Sequence, residues 1–459
     1  MFLWDRQMKT KRLLKKLGIN YAMKGKITHL SLSSDHLNKK TAFIALKGKY
    51  HDALTYLNDT NLNQVGVVLS YRPINHPKIV YIQNLKYRLS QIVSILYPHL
   101  LKNVYVIGIC GTCGKTTTAT ILYHTLKDQQ KKVAYIGTGM IRYEDQTIMT
   151  NNTTLDPIEF VHQYLQFLKK PDYLILEVSS HAILENRINF MHFNALIFTN
   201  FSQDHLDFHL NMTNYFEVKK SLFKSLTSKD IAIINAEDKK AKELMSCISS
   251  SIYTYGLFNG KYTLKDYQRK GVLNYNQYNF LAVYALGKYL RLNEEKMKKS
   301  LDEYLFEIGR SQIIYDQEFL VLIDYAHTPI ALKNLLLSLK KQYQRKITLV
   351  FGCGGDRDQS KRKKMGLIAK QYADNVILTN DNPRNENPQN IINDILKSSV
   401  KAKVILSRKE AILYSIDHAK EQEIIAIVGK GNETTQWIKE KRIPHNDKQC
   451  VQERLNLHE

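Results

Sequence analysis

Short apolar runs that end in turn or polar residues recur along most of this 459-residue sequence. Examples are "KVAYIG", "DYLILEVSS" and "NALIFTN", and the pattern restarts after "EIGRSQ" with "FLVLIDYAHT", "KITLVFGCGG" and "EIIAIVGKGN". Runs of this length that alternate with helical stretches are typical of buried parallel strands in βαβ units. We therefore predict an α/β fold in which ligands bind beyond the carboxyl ends of parallel strands.

Breaks in this pattern divide the chain into three blocks. We expect a small N-terminal α/β domain over residues 1–100. Over residues 101–305 we expect a central parallel-sheet domain, and its "GTCGKTTT" indicates a P-loop ATPase domain. Residues 306–459 are expected to form a C-terminal Rossmann-like α/β domain. In the second and third blocks, polar residues follow the strand ends, which is where open parallel sheets bind ligands.

Composition and charge exclude several classes of protein. No apolar run approaches the roughly 20 residues of a membrane span, and the N-terminus lacks a signal-peptide pattern. Five scattered cysteines with a single CxxC argue against a disulfide framework and against structural zinc. The formal charge of +23 favours anionic partners, but the lysines are spread along the chain without a long basic run. We therefore expect a soluble, cytoplasmic protein with a solvated basic surface and with neither nucleic acid nor membrane as its partner.

The stretch "VYVIGICGTCGKTTTATILYHTL" supports two interpretations. A buried strand at 104–109, a glycine-rich turn and a helix-compatible segment would together cradle phosphates, with Lys115 reaching the β/γ-phosphates and Thr116 holding Mg²⁺. The strict Walker pattern requires a glycine where Ile109 stands, so this loop is a variant. Cys110 and Cys113 could instead form a redox pair at a helix N-terminus. We favour the phosphate cradle because a thioredoxin-like pair does not explain the Gly-Lys-Thr-Thr that ends the loop.

Ten motifs in order give the chain a resemblance to the Mur ligases, the ATP-dependent amide-forming enzymes of peptidoglycan synthesis. They are "GTCGKTTT", "NNTT", "EVSSH", "TNFSQDHLDFH", "YFEVKKSLF", "NQYNFLA" with the later "GR", "DYAHTP", "GCGGDRD", "DNPR" and "GKGNE". The likeness covers nearly the whole chain. It implies that the three blocks bind the UDP-linked substrate, ATP and an amino acid, in that order.

The resemblance also implies the reaction. Within the family, "DNPR" resembles the members that add meso-2,6-diaminopimelate to the D-Glu carboxylate of UDP-N-acetylmuramoyl-L-Ala-D-Glu through an acyl phosphate. The implied cofactors are ATP and Mg²⁺, with a CO₂-derived carbamate on Lys219 that turns this cation into an anionic metal ligand. We expect a monomer.

Site residues carry over from the same motifs. The implied catalytic residues are Lys115, Lys219, His205 and Glu177, and the metal ligands are Thr116, Glu177, His205 and Lys219. Nucleotide contacts are expected from Gly111, Thr112, Cys113, Gly114, Lys115, Thr116, Thr117, Asn276, Asn279, Arg310, Asp324 and His327. Substrate contacts are expected from Ser34, Asn152, Thr153, Thr154, Ser179, Glu185, Arg187, Arg357, Asp381, Asn382, Pro383, Arg384, Gly429 and Glu433.

The sequence departs from the family pattern in places. Ser33-Ser34-Asp35 stands for Asp-Ser-Arg, Glu185 for a usual Gln, and Asn432 for a His. The segment before the Asn-containing helix is short, so we expect the central domain to lack peripheral strands. Three alternatives stay open: a folylpolyglutamate synthetase-like ligase, a Mur ligase that adds another amino acid, and a non-catalytic or nucleic-acid-binding ATPase.

Overall fold

The computed structural model describes residues 7–35, 37–48, 52–150, 152–168 and 170–457. Its helices, in chain order, are α1 (Thr10–Lys16), α2 (Asp59–Gln64), α3 (Leu89–Leu96), α4 (Lys115–Asp128), α5 (Pro157–Gln166), α6 (Ser180–Leu184), α7 (Leu206–His209), α8 (Met212–Lys224), α9 (Ala241–Met245), α10 (Asn274–Tyr289), α11 (Glu294–Glu303), α12 (Pro329–Tyr343), α13 (Ser360–Tyr372), α14 (Pro388–Leu396), α15 (Arg408–Asp417) and α16 (Asp447–Arg454).

The strands, in chain order, are β1 (Met8–Lys9), β2 (Lys26–Ile27), β3 (His29–Ser31), β4 (Thr41–Ala45), β5 (Val67–Ser70), β6 (Ile79–Tyr81), β7 (Tyr105–Cys110), β8 (Val133–Gly137), β9 (Met140–Tyr143), β10 (Gln146–Met149), β11 (Tyr173–Glu177), β12 (Ala195–Phe198), β13 (Ile231–Asn235), β14 (Ser251–Tyr255), β15 (Gln312–Asp316), β16 (Leu320–Asp324), β17 (Ile347–Phe351), β18 (Asn375–Leu378), β19 (Lys403–Val404), β20 (Ile424–Val428), β21 (Thr435–Ile438) and β22 (Lys441–Pro444).

The chain packs as two compact units. Unit A comprises Met1–Gly108 and Lys131–Ala195, and unit B comprises Ile109–Gln130 and Leu196–Glu459. Strand β7 begins in unit A, and its last two residues belong to unit B.

Unit A is built on parallel strands with an antiparallel addition. Near its N-terminus, β3, β4, β5 and β6 form a parallel sheet in that order, with Phe43 and Val68 in its core. Strands β1 and β2 form a separate antiparallel pair. The remaining strands follow the order β10-β9-β8-β11-β7, in which β8 and β11 are parallel and β8, β9 and β10 are antiparallel. The fully buried residues of β4, β8 and β11 explain why these strands are continuous apolar runs.

Unit B contains the strands β12-β13-β14 and a six-stranded sheet in the order β15-β16-β20-β17-β18-β19. In the larger sheet only β15 is antiparallel to its neighbour. One face packs against α12, α13 and α14 through residues such as Leu335, Met365 and Ile391. The other face packs against α15 and α16 through residues such as Ile412 and Val451. Helices on both faces bury the sheet, and the predicted α/β fold with parallel sheets is confirmed.

Sequence and structure differ in detail. The strand expected at 104–109 runs one residue later, as β7, and the hairpins β9–β10 and β21–β22 were not predicted. Residues 256–273, all of them described, contain turns and no strand beyond an isolated bridge between Tyr255 and Tyr262. The expected domain limits at residues 100 and 305 stay a prediction. None of the helices in the described ranges combines the length and the apolar character that a membrane span requires.

A buried ion pair joins the loops at the functional edge of the six-stranded sheet to α16. Arg408 and Asp447 have side chains with 0% exposure and form two hydrogen bonds of 2.8 and 2.7 Å. Arg408 also donates to the carbonyl of Val428 at 3.0 Å and to that of Asn380 at 3.4 Å. Burial alone would raise the pKa of Asp447, but the charge and hydrogen bonds of Arg408 hold it well below its usual value. The pair therefore fixes the ends of β18 and β20.

Replacing Asp447→Ala should lower the free energy of unfolding by about 3–5 kcal/mol, because it leaves a buried guanidinium without its countercharge. Urea unfolding followed by circular dichroism measures the loss. The matched control is Asp417→Ala, which removes the acid of an exposed ion pair with Arg454 and should cost at most about 1 kcal/mol. Equal losses in the two variants would contradict the structural role of the buried pair.

Candidate active site

The loop between β7 and α4 is shaped to receive an anion. Gly114 precedes the helix with a φ of 81°, in the left-handed region that favours glycine, and within the described chain no side chain caps the helix there. A Cβ on Gly114 would lie 2.6 Å from Oδ1 of Asn279. Because a helix N-terminus carries unpaired N–H groups and a partial positive charge, this end of α4 suits a phosphate.

Asn200, which follows β12, fixes the shape of the loop. Its Oδ1 accepts the N–H of Cys113 at 2.9 Å, its Nδ2 donates to the carbonyl of Cys113 at 3.0 Å, and its own carbonyl accepts the N–H of Thr112 at 2.9 Å. Thr199 donates to the Cys113 carbonyl at 2.7 Å. A Cβ on Gly111 would lie 1.8 Å from Oγ1 of Thr199, so this close approach requires a glycine.

Lys115 and Thr116 occupy the first turn of α4. The ammonium of Lys115 donates to the carbonyls of Gly111 at 3.0 Å and Thr112 at 2.9 Å, so the cation lies directly against the loop. Nη2 of Arg310 donates to Oγ1 of Thr116 at 3.3 Å. Lys115 and Arg310, two cations that sequence reasoning assigned to the nucleotide, therefore lie at the same end of α4. Thr117, which follows Thr116, is buried in the same turn.

The two asparagines at the start of α10 lie against α4. Asn279 accepts from the hydroxyl of Thr118 at 3.1 Å and donates to Oδ1 of Asn276 at 3.1 Å. Asn276 in turn donates to Oγ of Ser311 at 3.1 Å. The predicted helix is present, and both amides are buried beside the loop.

Asp324, the last residue of β16, meets the segment that carries Arg310. It accepts from the backbone N–H of Ser311 at 2.7 Å and from the Ser311 hydroxyl at 3.2 Å. Burial raises the pKa of Asp324, and the nearby guanidinium of Arg310 opposes that rise. Arg310 lies 4.3 Å above the ring of Tyr325, which restricts its orientation toward α4.

Asp204 links the two histidines that sequence reasoning singled out. Its Oδ2 lies 3.3 Å from Nε2 of His205 and 3.7 Å from Nε2 of His327, and its Oδ1 lies 4.0 Å from the ammonium of Lys361. Burial alone would raise the pKa of Asp204, but the hydrogen bond with His327 and the charges around it hold that pKa far below its usual value. Asp204 is thus a buried carboxylate that gathers positive charge.

Lys219 and Lys220 are neighbours on α8 with opposite environments. Lys219 is 1% exposed, donates to the carbonyl of Gly111 at 2.9 Å and lies 4.7 Å from the ring centre of Tyr215. Burial lowers the pKa of Lys219. Lys220 instead pairs with Glu217 at 2.7 Å, and that hydrogen bond raises its pKa. Only Lys219 is both next to the loop and biased toward the neutral amine.

The environment of Cys113 argues against an activated thiol pair in the loop. Cys110 and Cys113 are both free thiols. Burial raises the pKa of Cys113, and its Sγ lies 3.5 Å from Oγ1 of Thr328. A redox cysteine at a helix N-terminus has a lowered pKa, so this environment favours the phosphate interpretation of the loop.

Glu177, the last residue of β11 in unit A, is a buried carboxylate held by neutral donors. Its Oε1 accepts from the hydroxyl of Tyr135 at 2.6 Å and from the N–H of Thr138 at 2.9 Å, and its Oε2 accepts from the Thr138 hydroxyl at 3.2 Å. These bonds fix the carboxylate at the end of the strand. An oriented carboxylate of this kind suits a hard divalent cation.

Several of the residues assigned to the muramoyl dipeptide form one network in unit A. Thr154 donates to the carbonyl of Glu177 at 2.7 Å and lies 3.2 Å from Oγ of Ser179. Arg187 donates to the carbonyl of Thr154 at 3.1 Å and to Glu185 at 2.8 Å. Glu185 also pairs with the ammonium of Lys86, which belongs to the N-terminal block.

Other assigned residues of unit A lie outside this network. Thr153 bonds to the hydroxyl of Thr138 at 3.2 Å, and the carbonyl of Asn152 accepts from Thr150 at 3.2 Å. Asn151, the first residue of the "NNTT" motif, lies outside the described residues. Ser34 lies in the loop after β3, and no hydrogen bond found among the described residues joins it to the Thr154 network.

The loops after β18 and β20 meet in unit B. Nδ2 of Asn382 donates to Oε2 of Glu433 at 2.8 Å. A Cβ on Gly429 would lie 2.7 Å from Oδ2 of Asp381, so these two positions are in direct contact. Asp381, Asn382 and the following Pro383 are buried at this edge of the sheet.

Two arginines flank the glycines after β17. Nη1 of Arg384 donates to the carbonyl of Gly355 at 2.5 Å. A Cβ on Gly354 would lie 3.0 Å from Nη1 of Arg384 and 3.8 Å from Cγ of Arg357. Burial lowers the pKa of Arg384, and the charge of Arg357 lowers it further. Two arginine side chains that lie beside the same glycine and repel each other suit a carboxylate, which relieves that repulsion.

The structure thus brings the predicted residues together in groups. In unit B the loop residues lie with Lys115, Thr116, Lys219, Asn276, Asn279, Arg310 and Asp324, and Asp381, Asn382, Arg384, Gly429 and Glu433 lie with Arg357. Sequence reasoning missed Thr199, Asn200, Asp204 and Lys430, although all four lie inside quoted motifs.

The state of the loop thiols is testable by alkylation. Labelling of Cys113 by iodoacetamide, followed by mass spectrometry across pH, should show a midpoint above the ordinary thiol value of about 8.5, because burial disfavours the thiolate. Cys247, which lies outside the loop and is partly exposed, is the internal control. A midpoint for Cys113 below about 7 would instead support the redox interpretation.

Comparison with known proteins agrees with these features. The Mur ligase middle domain matches residues 109–291, and the family described as "Mur ligase, glutamate ligase domain" matches residues 309–431. The UDP-N-acetylmuramoyl-L-alanyl-D-glutamate–2,6-diaminopimelate ligase of Caldanaerobacter subterraneus subsp. tengcongensis is 32% identical over 95% of this chain and 97% of its own. The ligase of the same name from Aquifex aeolicus is 34% identical over 94% of each chain. A solved structure of a ligase with that name covers 98% of this chain and 99% of its own at 26% identity, with a TM-score of 0.64. The chain therefore belongs to the Mur ligase family.

Proposed function

We propose that this chain is an ATP-dependent ligase that adds meso-2,6-diaminopimelate to the D-Glu carboxylate of UDP-N-acetylmuramoyl-L-Ala-D-Glu. The observation that carries the proposal is that one compact unit holds both a phosphate cradle and, at the ends of β18 and β20, a site with two arginines and a carboxylate. The names of the relatives that match nearly the whole chain support the same substrates. A folylpolyglutamate synthetase is less well supported by these relatives.

The reaction proceeds in two steps. An oxygen of the D-Glu carboxylate attacks the γ-phosphorus of ATP. The bond between that phosphorus and the β,γ-bridging oxygen breaks, so that ADP departs and an acyl phosphate forms. The amine nitrogen of diaminopimelate then attacks the acyl carbon, the amide C–N bond forms, and phosphate and a proton are released. Both steps crowd negative charge, so the main task of the protein is to position donors and cations.

The nucleotide end of the site is supplied by α4 and its neighbours. The N-terminus of α4 and the ammonium of Lys115 receive the phosphates, and Arg310 reaches the same turn through Thr116. Asn276 and Asn279, at the start of α10, contact the adenine. Asp324 accepts from the segment that carries Arg310 and so holds that arginine in place.

The donor set fits Mg²⁺. In nucleotide sites this ion takes one or two protein oxygens and completes its shell with phosphates and water. In unit B, the hydroxyl of Thr116 is an oxygen ligand of this kind, and His205 and a carbamylated Lys219 are assigned to the metal as well. In unit A, the oriented carboxylate of Glu177 suits a divalent cation. Within the described ranges, no group of three or more His, Cys, Asp or Glu side chains could hold a metal ion by itself. When bound, the ion would stabilise negative charge on the phosphoryl oxygens.

The environment of Lys219 supports carbamylation. A neutral amine attacks CO₂, forms an N–C bond, and loses a proton to give a carbamate anion. Burial lowers the pKa of Lys219 and so favours the neutral amine that this step needs. Its position against the Gly111 carbonyl places the nitrogen beside the phosphate loop.

The charged groups of the amino acid are recognised by side chains of opposite charge. Arg384 and Arg357 bind a carboxylate, and Glu433 pairs with the distal ammonium of diaminopimelate. Diaminopimelate carries one more carboxylate than lysine, and Arg384 and Arg357, whose side chains both lie beside Gly354, provide for it. Asp381, Asn382, Pro383 and Gly429 form the remaining wall.

The UDP-linked substrate is assigned to unit A. Asn152, Thr153, Thr154, Ser179, Glu185 and Arg187 contact the muramoyl dipeptide, and Ser34 contacts the uridine side. The network around Thr154 supports this assignment because it fixes Arg187, the cation of the group. A monomeric state and a cytoplasmic location belong to the same proposal.

Phosphate release tests the proposed function. We expect release from ATP to require UDP-N-acetylmuramoyl-L-Ala-D-Glu together with diaminopimelate. L-Lysine should support a rate at least about tenfold lower, because the missing carboxylate forfeits charged hydrogen bonds of about 1.5–3 kcal/mol. Release that depends on folate plus glutamate, or on a polynucleotide, would overturn the proposal in favour of an alternative.

Lys219→Ala should lower turnover by about 100-fold or more, because it removes an anionic group from the metal site. Lys220→Ala, at the next position on α8, is the matched control and should keep its activity. A readout independent of turnover is the carbamate signal from ¹³C-bicarbonate in carbon NMR, expected in wild type and Lys220→Ala and lost in Lys219→Ala. A fully active Lys219→Ala would refute the role.

A further inference from the structure

Lys430, in the loop after β20, is a completely buried lysine with a full set of partners. It is 0% exposed, and its ammonium donates to Oδ1 of Asn382 at 3.0 Å, Oε2 of Glu433 at 2.7 Å and the carbonyl of Thr435 at 2.8 Å. An ammonium has three donors, so these bonds use all of them. Sequence reasoning assigned no role to this residue.

The partners of Lys430 come from three segments. Asn382 belongs to the loop after β18, Glu433 to the loop after β20, and Thr435 begins β21. Asn382 and Glu433 also bond to each other at 2.8 Å, which closes a triangle with the ammonium. The N–H of Trp437 in β21 donates to the same Asn382 oxygen at 2.9 Å. Lys430 is therefore the centre of a frame that joins both loops to the hairpin.

This frame determines how Glu433 is presented. Both hydrogen bonds to its side chain end on Oε2, and the side chain remains 33% exposed. One oxygen is thus committed to the frame, while the carboxylate still reaches the surface of the site. The hairpin holds Arg384 as well, since the Arg384 N–H donates to the carbonyl of Trp437 at 3.0 Å and its guanidinium lies 5.5 Å from that ring.

Arg408 is a buried cation near the same sheet whose hydrogen-bond partners indicate a purely structural role. Its partners are Asp447 and the backbone carbonyls of Val428 and Asn380. None of these is a side chain assigned to the substrate. Lys430 differs because two of its three partners, Asn382 and Glu433, are side chains that we assign to the amino acid.

We propose that Lys430 is a positioning residue that sets amino-acid specificity, by holding Asn382 and Glu433 where they recognise the distal ammonium and carboxylate of a diamino dicarboxylic acid. The inference rests on the proposed function and deepens it. A frame of this kind acts on the affinity for the amino acid and on its discrimination from lysine. It leaves the binding of ATP and of the UDP-linked substrate unchanged, because the three hydrogen bonds of the Lys430 ammonium go to Asn382, Glu433 and Thr435, and none of these is assigned to either ligand.

The test is Lys430→Met in the full chain, which keeps side-chain length and removes the donors. We expect the KM for diaminopimelate to rise about tenfold or more, and its preference over L-lysine to fall by a similar factor. KM values for ATP and for the UDP-linked dipeptide should stay within about twofold. The matched control is Lys441→Met, an exposed position on β22, which should leave all three KM values unchanged.

If the Met variant does not fold, the same KM values are measured in Lys430→Gln, which keeps two hydrogen-bond donors. Unchanged KM for diaminopimelate, or a parallel change in all three KM values, would overturn the inference and leave the proposed function intact. Unfolding of both variants would also overturn it, because it would assign Lys430 to stability. Wild-type enzyme without diaminopimelate-dependent phosphate release would instead overturn the proposed function itself.

Discussion

The shape of the β7–α4 loop depends on the hydrogen bonds of one asparagine. Asn200 holds the backbone of Thr112 and Cys113 with three bonds, so the chain that turns into α4 cannot relax away from the strand ends. A loop fixed in this way presents the helix N-terminus to an anion without reorganisation when the ligand arrives. The close approach excludes a side chain at Gly111, and that exclusion explains why a glycine stands there although the strict Walker glycine position holds Ile109.

Several polar groups of unit B share one kind of position. They lie at or just after the end of a buried strand, where the polar backbone meets solvent and a side chain can project without disturbing the sheet. In unit B, Asn200 follows β12, Asp324 ends β16, Asp381 follows β18 and Gly429 follows β20. Because the parallel strands of the six-stranded sheet end at the same edge, residues far apart in sequence become neighbours there, and the N–H of Gly429 donates to the carbonyl of Asp324 at 3.1 Å.

The sequence predicted most of the strands because buried parallel strands are continuous apolar runs. It missed the β9–β10 and β21–β22 hairpins for the same reason: β10, "QTIM", is mostly exposed, and β21 and β22, "TQWI" and "KRIP", are only partly buried or exposed. Site residues were assigned where a motif marks them, as with Lys219 beside the ordinary Lys220. Asn200, Asp204 and Lys430 were missed because their roles arise from partners that only the fold brings near.

Three buried cations in unit B show how environment decides what a charge does. Arg408 meets a buried carboxylate and backbone carbonyls, so its charge is neutralised and its function is to hold strand ends. Lys430 meets Glu433 and Asn382, so its charge organises side chains that we assign to the amino acid. Lys219 meets a backbone carbonyl and an aromatic ring, which compensate a full charge less well than a carboxylate does, and burial lowers its pKa. A lysine in the last situation gains most from losing its charge, and this is the physical reason for proposing that Lys219 is carbamylated.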